Sequence, residues 1–358
     1  MFKHRSFACA RIRRLPRLIA ANLCALLLLS AAATSVHAET GQDYANQVGT
    51  RLVGSLAPRL KLTTVDGKTI DLARLYGRKA VYLKFWATWC VPCRQQMPHF
   101  EKVKRNAGDD LEVIGVNIGF DDTVAQINAY RRELGITMPI VRDDGRLAEI
   151  FGLRVTPQHV LIGRDGRIQY IGHLADAKLD AALARARKPL ALDAPLPVAP
   201  PGDTTKTIRA GDTVPPRNIT TLEAYTVALS DPTKKRKTAL AFLSPWCESY
   251  FEKTRPQSSA QCRALRELLV TQGRDRRVRW IGIAAGLWAS EQDVRDYRNE
   301  HRIPVPLTLD HDGALFRRFG IHRVPALIVV DTDGRIVGQV DVGDRGAVAT
   351  LGKLLATP

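Results

Sequence analysis

Residues 85–93 read FWATWCVPC. An apolar strand, AVYLKFWAT, runs into Cys90, and a helix, CRQQMPHFEKVKRNA, starts at Cys93. Cys90 therefore stands where a buried strand ends and a helix begins. The N-terminus of that helix offers unpaired N–H groups and partial positive charge, which stabilise a thiolate. Cys93 lies one turn on, within reach to close a small disulfide, and Pro92 suits the first turn, where it has no N–H to lose. Half a zinc site is an alternative, but it needs two further ligands at suitable spacing, and the sequence supplies no second close pair. A static structural disulfide is another, and it leaves the aromatic flank unexplained. Disulfide exchange is the expected chemistry, with no metal and no cofactor called for.

The motif recurs further along the chain. Trp89-Cys90 is matched by Trp246-Cys247 at an offset of 157, as Phe85 is by Phe242 and Gly54–Pro58 (GSLAP) by Gly211–Pro215 (GDTVP). Later the offset is 168, from Gly145/Gly313 through Phe151/Phe319 and Pro157/Pro325 to Asp165-Gly166/Asp333-Gly334. Cys93-Arg94 meets Cys262-Arg263 at 169, so nearly all of the shift arises between the two cysteines of the second half. A period this long means a duplicated domain. Each copy reads strand, helix, strand, amphipathic helix, then two strands joined by an Asp-Gly turn, which implies an α/β fold with a mixed sheet flanked by helices. Between the copies, KPLALDAPLPVAPPGDTT carries five prolines from Pro189 to Pro201 and reads as an extended linker.

WATWCVPCRQQMP, with Gly54–Pro58, Gly67 and Leu72 before it, resembles the thioredoxin superfamily in its exported TlpA/ResA-like branch. The resemblance spans about residues 50–185. It implies tandem thioredoxin-like folds and a protein thiol–disulfide oxidoreductase, with Cys90 as nucleophile and Cys93 as resolver. It also implies a substrate groove at Trp89, Pro92 and the cis-proline Pro157, with Thr156 offering backbone hydrogen bonds to a client peptide. Val324-Pro325 holds the same position in the second copy. Protein disulfide clients and a membrane thiol electron donor are the implied partners. Two departures bear on the chemistry. Lys84 stands where many thioredoxins bury an acid; its ammonium either favours thiolate at Cys90 or snorkels out of the strand. Gln96 replaces a carboxylate common in the branch. His159 and His173 are left structural.

The second pair is C-x14-C, Cys247 to Cys262. One continuous helix would hold the two ~22 Å apart, but Pro256 argues against that. A helix restarting at an N-cap Ser258 or Ser259 would put Cys262 in its first turn and let the insertion loop out, leaving the sulfurs adjacent. The pair then reads as a second catalytic redox centre whose insertion covers the nucleophile and selects partners, as a fixed staple in a client-binding or redox-assembly domain, or as peroxide-reactive thiols. The register match of Cys262 with Cys93 points to the first, with Cys247 and Cys262 as catalytic residues. The peroxide reading is disfavoured because the peroxiredoxin P-x-x-x-T-x-x-C pattern is absent. A metal chaperone is a further alternative for the whole protein.

The 358 residues carry a net charge of +17, with 45% hydrophobic and 25% charged residues, which excludes a disordered chain and a multi-span membrane protein. Six Lys/Arg and no acid precede an apolar run at 18–33 and Val36-His37-Ala38. That pattern reads as a signal peptide cleaved after Ala38, and a periplasmic or otherwise exported protein. The expected division is a signal peptide at 1–38, a thioredoxin-like domain at 39–187, the linker at 188–207 and a second thioredoxin-like domain at 208–358. The basic runs at Lys234–Lys237 and Arg274–Arg279 read as solvated turns, and no nucleic acid is expected.

Overall fold

The computed structural model describes residues 39–190, 207–343 and 346–356, so the expected signal peptide and most of the linker lie outside the described residues. In the first half the elements are α1 (Gly41–Leu52), β1 (Lys61–Thr63), β2 (Thr69–Asp71), α2 (Leu72–Leu75), β3 (Ala80–Trp86), α3 (Val91–Arg105), β4 (Leu111–Asn117), α4 (Val124–Leu134), β5 (Ile140–Arg142), α5 (Arg146–Ile150), β6 (Gln158–Ile162), β7 (Ile168–Gly172) and α6 (Ala177–Ala186). The second half gives β8 (Asn218–Thr220), β9 (Thr226–Ala228), β10 (Lys237–Leu243), α7 (Cys247–Phe251), α8 (Pro256–Gln272), β11 (Val278–Ala285), α9 (Glu291–His301), β12 (Leu307–Asp310), α10 (Ala314–Arg318), β13 (Ala326–Val330), β14 (Ile336–Val340) and α11 (Ala347–Ala356).

The two central strands explain the sheets. β3 and β10 are buried at every residue, so neither alternates, and each lies mid-sheet between two neighbours with helices on both faces. The sheet orders are β5-β4-β3-β6-β7 and β12-β11-β10-β13-β14. In each, the first three strands run parallel and the last two antiparallel. The Asp-Gly turns close both terminal hairpins, with Gly166 at φ 74° and Gly334 at φ 83°. These are the two thioredoxin-like folds expected from the duplication.

The helix after the second strand of each central sheet starts with a capping box, Thr123 with Gln126 on α4 after β4 and Ser290 with Asp293 on α9 after β11. A buried carboxylate caps the short helix after the third parallel strand. Asp143 accepts from the N–H groups of Leu147 and Ala148, and Asp310 from those of Leu315 and Phe316. Burial raises both acids to about 6. The insertion differs from expectation. α8 starts at Pro256, not at a serine cap, because proline suits the first turn. Ser258 and Ser259 instead donate to Asp121 Oδ2 and to the Glu248 carbonyl, which puts Cys262 in the second turn.

The described residues from Thr40 onward form one compact unit, and the halves pack directly on each other. α5 lies against α10, where Glu149 pairs with Arg317. Trp288 N donates to the Arg154 carbonyl at 2.8 Å, and Asp121 N donates to the His322 carbonyl at 2.9 Å. Asp121 and Trp288 both take left-handed backbone, at φ 57° and 55°. Arg154 adds bonds to the carbonyls of Gly286 and Ala289. The basic runs are largely spent locally: Arg236 pairs with Asp231, Arg277 with Asp275, and Lys237 donates to the Leu354 carbonyl.

Candidate active site

Cys90 and Cys93 form a disulfide, their Cα atoms 5.2 Å apart. Cys90 is the N-cap of α3, and its sulfur accepts the Cys93 N–H at 3.2 Å. The Thr156 carbonyl lies 3.4 Å from the same sulfur, and the Thr156–Pro157 bond is cis. Buried Asp122 fixes the approach to the motif, accepting from Thr88 N, Thr88 Oγ1 and Asn117 Nδ2. Trp89 is anchored through its indole N–H to the Phe120 carbonyl at 2.8 Å.

Lys84 sits beneath this surface on β3 and is fully buried. Its Nζ has no hydrogen-bond partner and lies 5.3 Å from the centre of the Phe100 ring. It does not snorkel: a central strand covered on both faces gives the side chain no route to water. Desolvation lowers its pKa to about 7. On β6, opposite Lys84, His159 accepts from or donates to Tyr82 Oη (2.7 Å, Nδ1) and Gln96 Oε1 (2.9 Å, Nε2). Gln96 can only accept there, so Nε2 carries the proton and Nδ1 takes the Tyr82 hydroxyl hydrogen. Burial depresses the imidazole pKa well below its usual value, in keeping with that neutral tautomer. Gln96 Nε2 donates to the His173 carbonyl, and His173 Nδ1 donates to the Pro157 carbonyl at 2.7 Å. A buried polar chain thus runs from β3 to the cis-proline.

The second half supplies a roof. Cys247 and Cys262 form a disulfide with Cα atoms 6.2 Å apart, bounding a segment that crosses to the first half. Tyr250 Oη donates to the Trp89 carbonyl and accepts the Val91 N–H, both at 3.3 Å. Trp246, Tyr250 and Phe251 all lie against Trp89, at 5.6, 6.0 and 5.5 Å between ring centres. The Arg255 guanidinium reaches Thr88 Oγ1, Asp121 and Asp122. Trp288 Nε1 donates to Thr156 Oγ1 at 3.2 Å. Between these walls lies a cavity of about 250 Å³ lined by Trp89, Cys90, Pro92, Trp246, Tyr250 and Trp288.

Of the residues singled out in the sequence, Trp89, Cys90 and Pro92 come together at the cavity, with Thr156 behind Cys90. Thr156 and Pro157 are buried, and Trp288 covers them from the second half. Val324 and Pro325, also joined by a cis bond, line a separate cavity with Gln261, His322 and Asp341. Among the described residues no group of three or more His, Cys, Asp and Glu is placed to hold a metal ion. Tyr250, Arg255 and Trp288 were not expected at Cys90. Of the three, only Tyr250, in the aromatic pair Tyr250-Phe251 of the insertion, carries a local sequence signal.

Residues 53–171 match the AhpC/TSA family and residues 209–355 match the Redoxin family. The thioredoxin-like protein YneN of Bacillus subtilis is 32% identical over 133 residues, 36% of this chain and 78% of its own. The thiol–disulfide oxidoreductase ResA of Bacillus thuringiensis is 30% identical over 137 residues, 37% of this chain and 78% of its own. The chain belongs to the thioredoxin-like thiol–disulfide oxidoreductases. Among solved structures, a putative protein disulfide isomerase from Bacteroides thetaiotaomicron is 33% identical, covering 37% of this chain and 86% of its own with a TM-score of 0.32. In this oxidoreductase, reduction of Cys90–Cys93 would leave a Cys90 thiolate facing the Cys93 N–H and the positive end of α3, both of which stabilise it.

Proposed function

We propose that the protein is an exported protein disulfide reductase working through Cys90 and Cys93. The Cys90 thiolate attacks a client disulfide, forming a mixed disulfide and releasing the client's first thiolate. The Cys93 thiolate then attacks the Cys90 sulfur, releasing the second client thiol and leaving Cys90–Cys93 oxidised. A membrane thiol donor returns the two electrons. The observation that carries this reading is Cys90 Sγ at the N-terminus of α3, lining a cavity beside the Thr156 carbonyl. Export rests on the basic, apolar and small-residue pattern of 1–38, and the two domains on the boundaries given above. Among the described residues no helix is long and apolar enough to cross a membrane.

For Cys247–Cys262 the geometry favours the staple over the second redox centre. The bond ties down the segment whose Tyr250 and Arg255 hold the halves together, so opening it releases the interface. With dithiothreitol as donor, wild type reduces insulin and Cys90→Ser does not; equal rates would overturn the assignment. A glutathione titration with cysteine mapping separates the two readings of the second pair, since a redox centre opens reversibly near the potential of Cys90–Cys93.

A further inference from the structure

The cavity over Cys90 is composite. Trp89, Cys90 and Pro92 form one side, and Trp246, Tyr250 and Trp288 close it from the second half. Every polar atom on its aromatic walls is already engaged. The Trp89 indole N–H donates to the Phe120 carbonyl, that of Trp246 to the Leu287 carbonyl and that of Trp288 to Thr156 Oγ1. Tyr250 Oη is held by Trp89 and Val91. A charged or hydrogen-bonding group entering here would shed water and find no partner. An apolar group meets aromatic faces on several sides. The size is also restrictive: a dry cavity of about 150 Å³ holds a benzene ring, so about 250 Å³ takes one large side chain beside a sulfur. The Trp288 turn further occupies the Arg154–Thr156 edge, with its backbone on Arg154 and its indole on Thr156.

We propose that the second half completes the substrate site of the first, and that Trp246, Tyr250 and Trp288 select disulfides whose cysteine is flanked by one large apolar side chain. This rests on Cys90 being the attacking sulfur. The flanking side chain enters the aromatic cavity and brings the adjacent client sulfur to Cys90. Charged or small flanks gain nothing there. The exchange itself is unchanged, and its two electrons come from the Cys90–Cys93 dithiol.

The test is a single-turnover assay on the full-length protein, with Cys90–Cys93 opened by a limiting amount of dithiothreitol, Cys247–Cys262 shown intact by cysteine mapping, and the reductant then removed. Its substrates are disulfide-linked dimers of a short peptide with Ser, Asp, Val, Leu or Phe beside the cysteine. The rate of peptide thiol release in wild type rises with the apolar area of the flank, the Phe peptide exceeding the Ser peptide about tenfold. Trp246→Ala, Tyr250→Ala and Trp288→Ala each reduce that ratio to less than about threefold. The wild-type series stands without any variant. A flat series with all peptides reduced, or a ratio retained in all three variants, overturns the selection while leaving the exchange chemistry intact. No reduction of any peptide overturns the role of Cys90, and the selection with it.

Discussion

Arg255, carried by the insertion of the second half, holds its guanidinium 2.9 Å from Oδ1 of Asp122 in the first. The Asp122 side chain is wholly inaccessible, and the same guanidinium lies 3.1 Å from Oδ2 of Asp121. Removing one member of a buried ion pair strands the other charge, at a cost of about 3 kcal/mol or more. Arg255→Ala should therefore lower the urea midpoint of the protein. It should also speed alkylation of reduced Cys90, because the roof loses its main polar anchor. An unchanged midpoint together with unchanged alkylation would show that the pair contributes nothing.

Lys84 predicts a pH signature. Its pKa falls from 10.5 in the unfolded chain to about 7 in the folded one, through desolvation. Between those values the unfolded state binds more protons, so stability rises with pH across this window. Below about 7 both states are protonated and the penalty is complete, on the order of 5 kcal/mol. Lys84→Met should be more stable than wild type at pH 6–7, with the gap closing toward pH 10. Parallel stability curves for the two proteins would contradict this account of the buried amine.

The second disulfide should act on stability. The bond joins cysteines 15 residues apart. A cross-link of that span restricts the unfolded chain by about 3 kcal/mol. Cys247→Ser combined with Cys262→Ser should lose stability of that order in denaturant unfolding. No loss would refute the staple.

Much of this molecule is written in local pattern. The apolar runs that became β3 and β10, the Asp-Gly hairpins and the recurrence of motifs between copies are short-range signals, and they put Cys90 and Cys93 at the junction of a buried strand and a helix, where the structure has them. The capped start of α1, where Thr40 and Asp43 bond reciprocally, lies in a mostly polar stretch with little apolar periodicity to mark it. The small hairpins at β1–β2 and β8–β9 have three-residue strands, too short to show a period. Tyr250, Arg255 and Trp288 act only through packing between halves, which no spacing within either half encodes. The fate of Lys84 depended on the same information, because a strand residue escapes to water only if its sheet has an open face.

Trp89 and Trp246 are equivalent residues, and they meet each other; so do Glu149 and Arg317. The Trp288–Arg154 and Asp121–His322 backbone bonds are likewise one bond made twice with the halves exchanged. Contacts between counterparts are the mark of two-fold symmetry, so the halves associate as two subunits of an isologous dimer would. In a dimer of identical chains, a charged residue on the axis faces its own copy and repels it. Covalent fusion lifts that constraint, and here a glutamate faces an arginine. It equally lets one copy keep C-x-x-C while the other lengthens its cysteine spacing by twelve residues to roof it. Identical subunits would have to build two sites and two roofs; a single chain can make one of each.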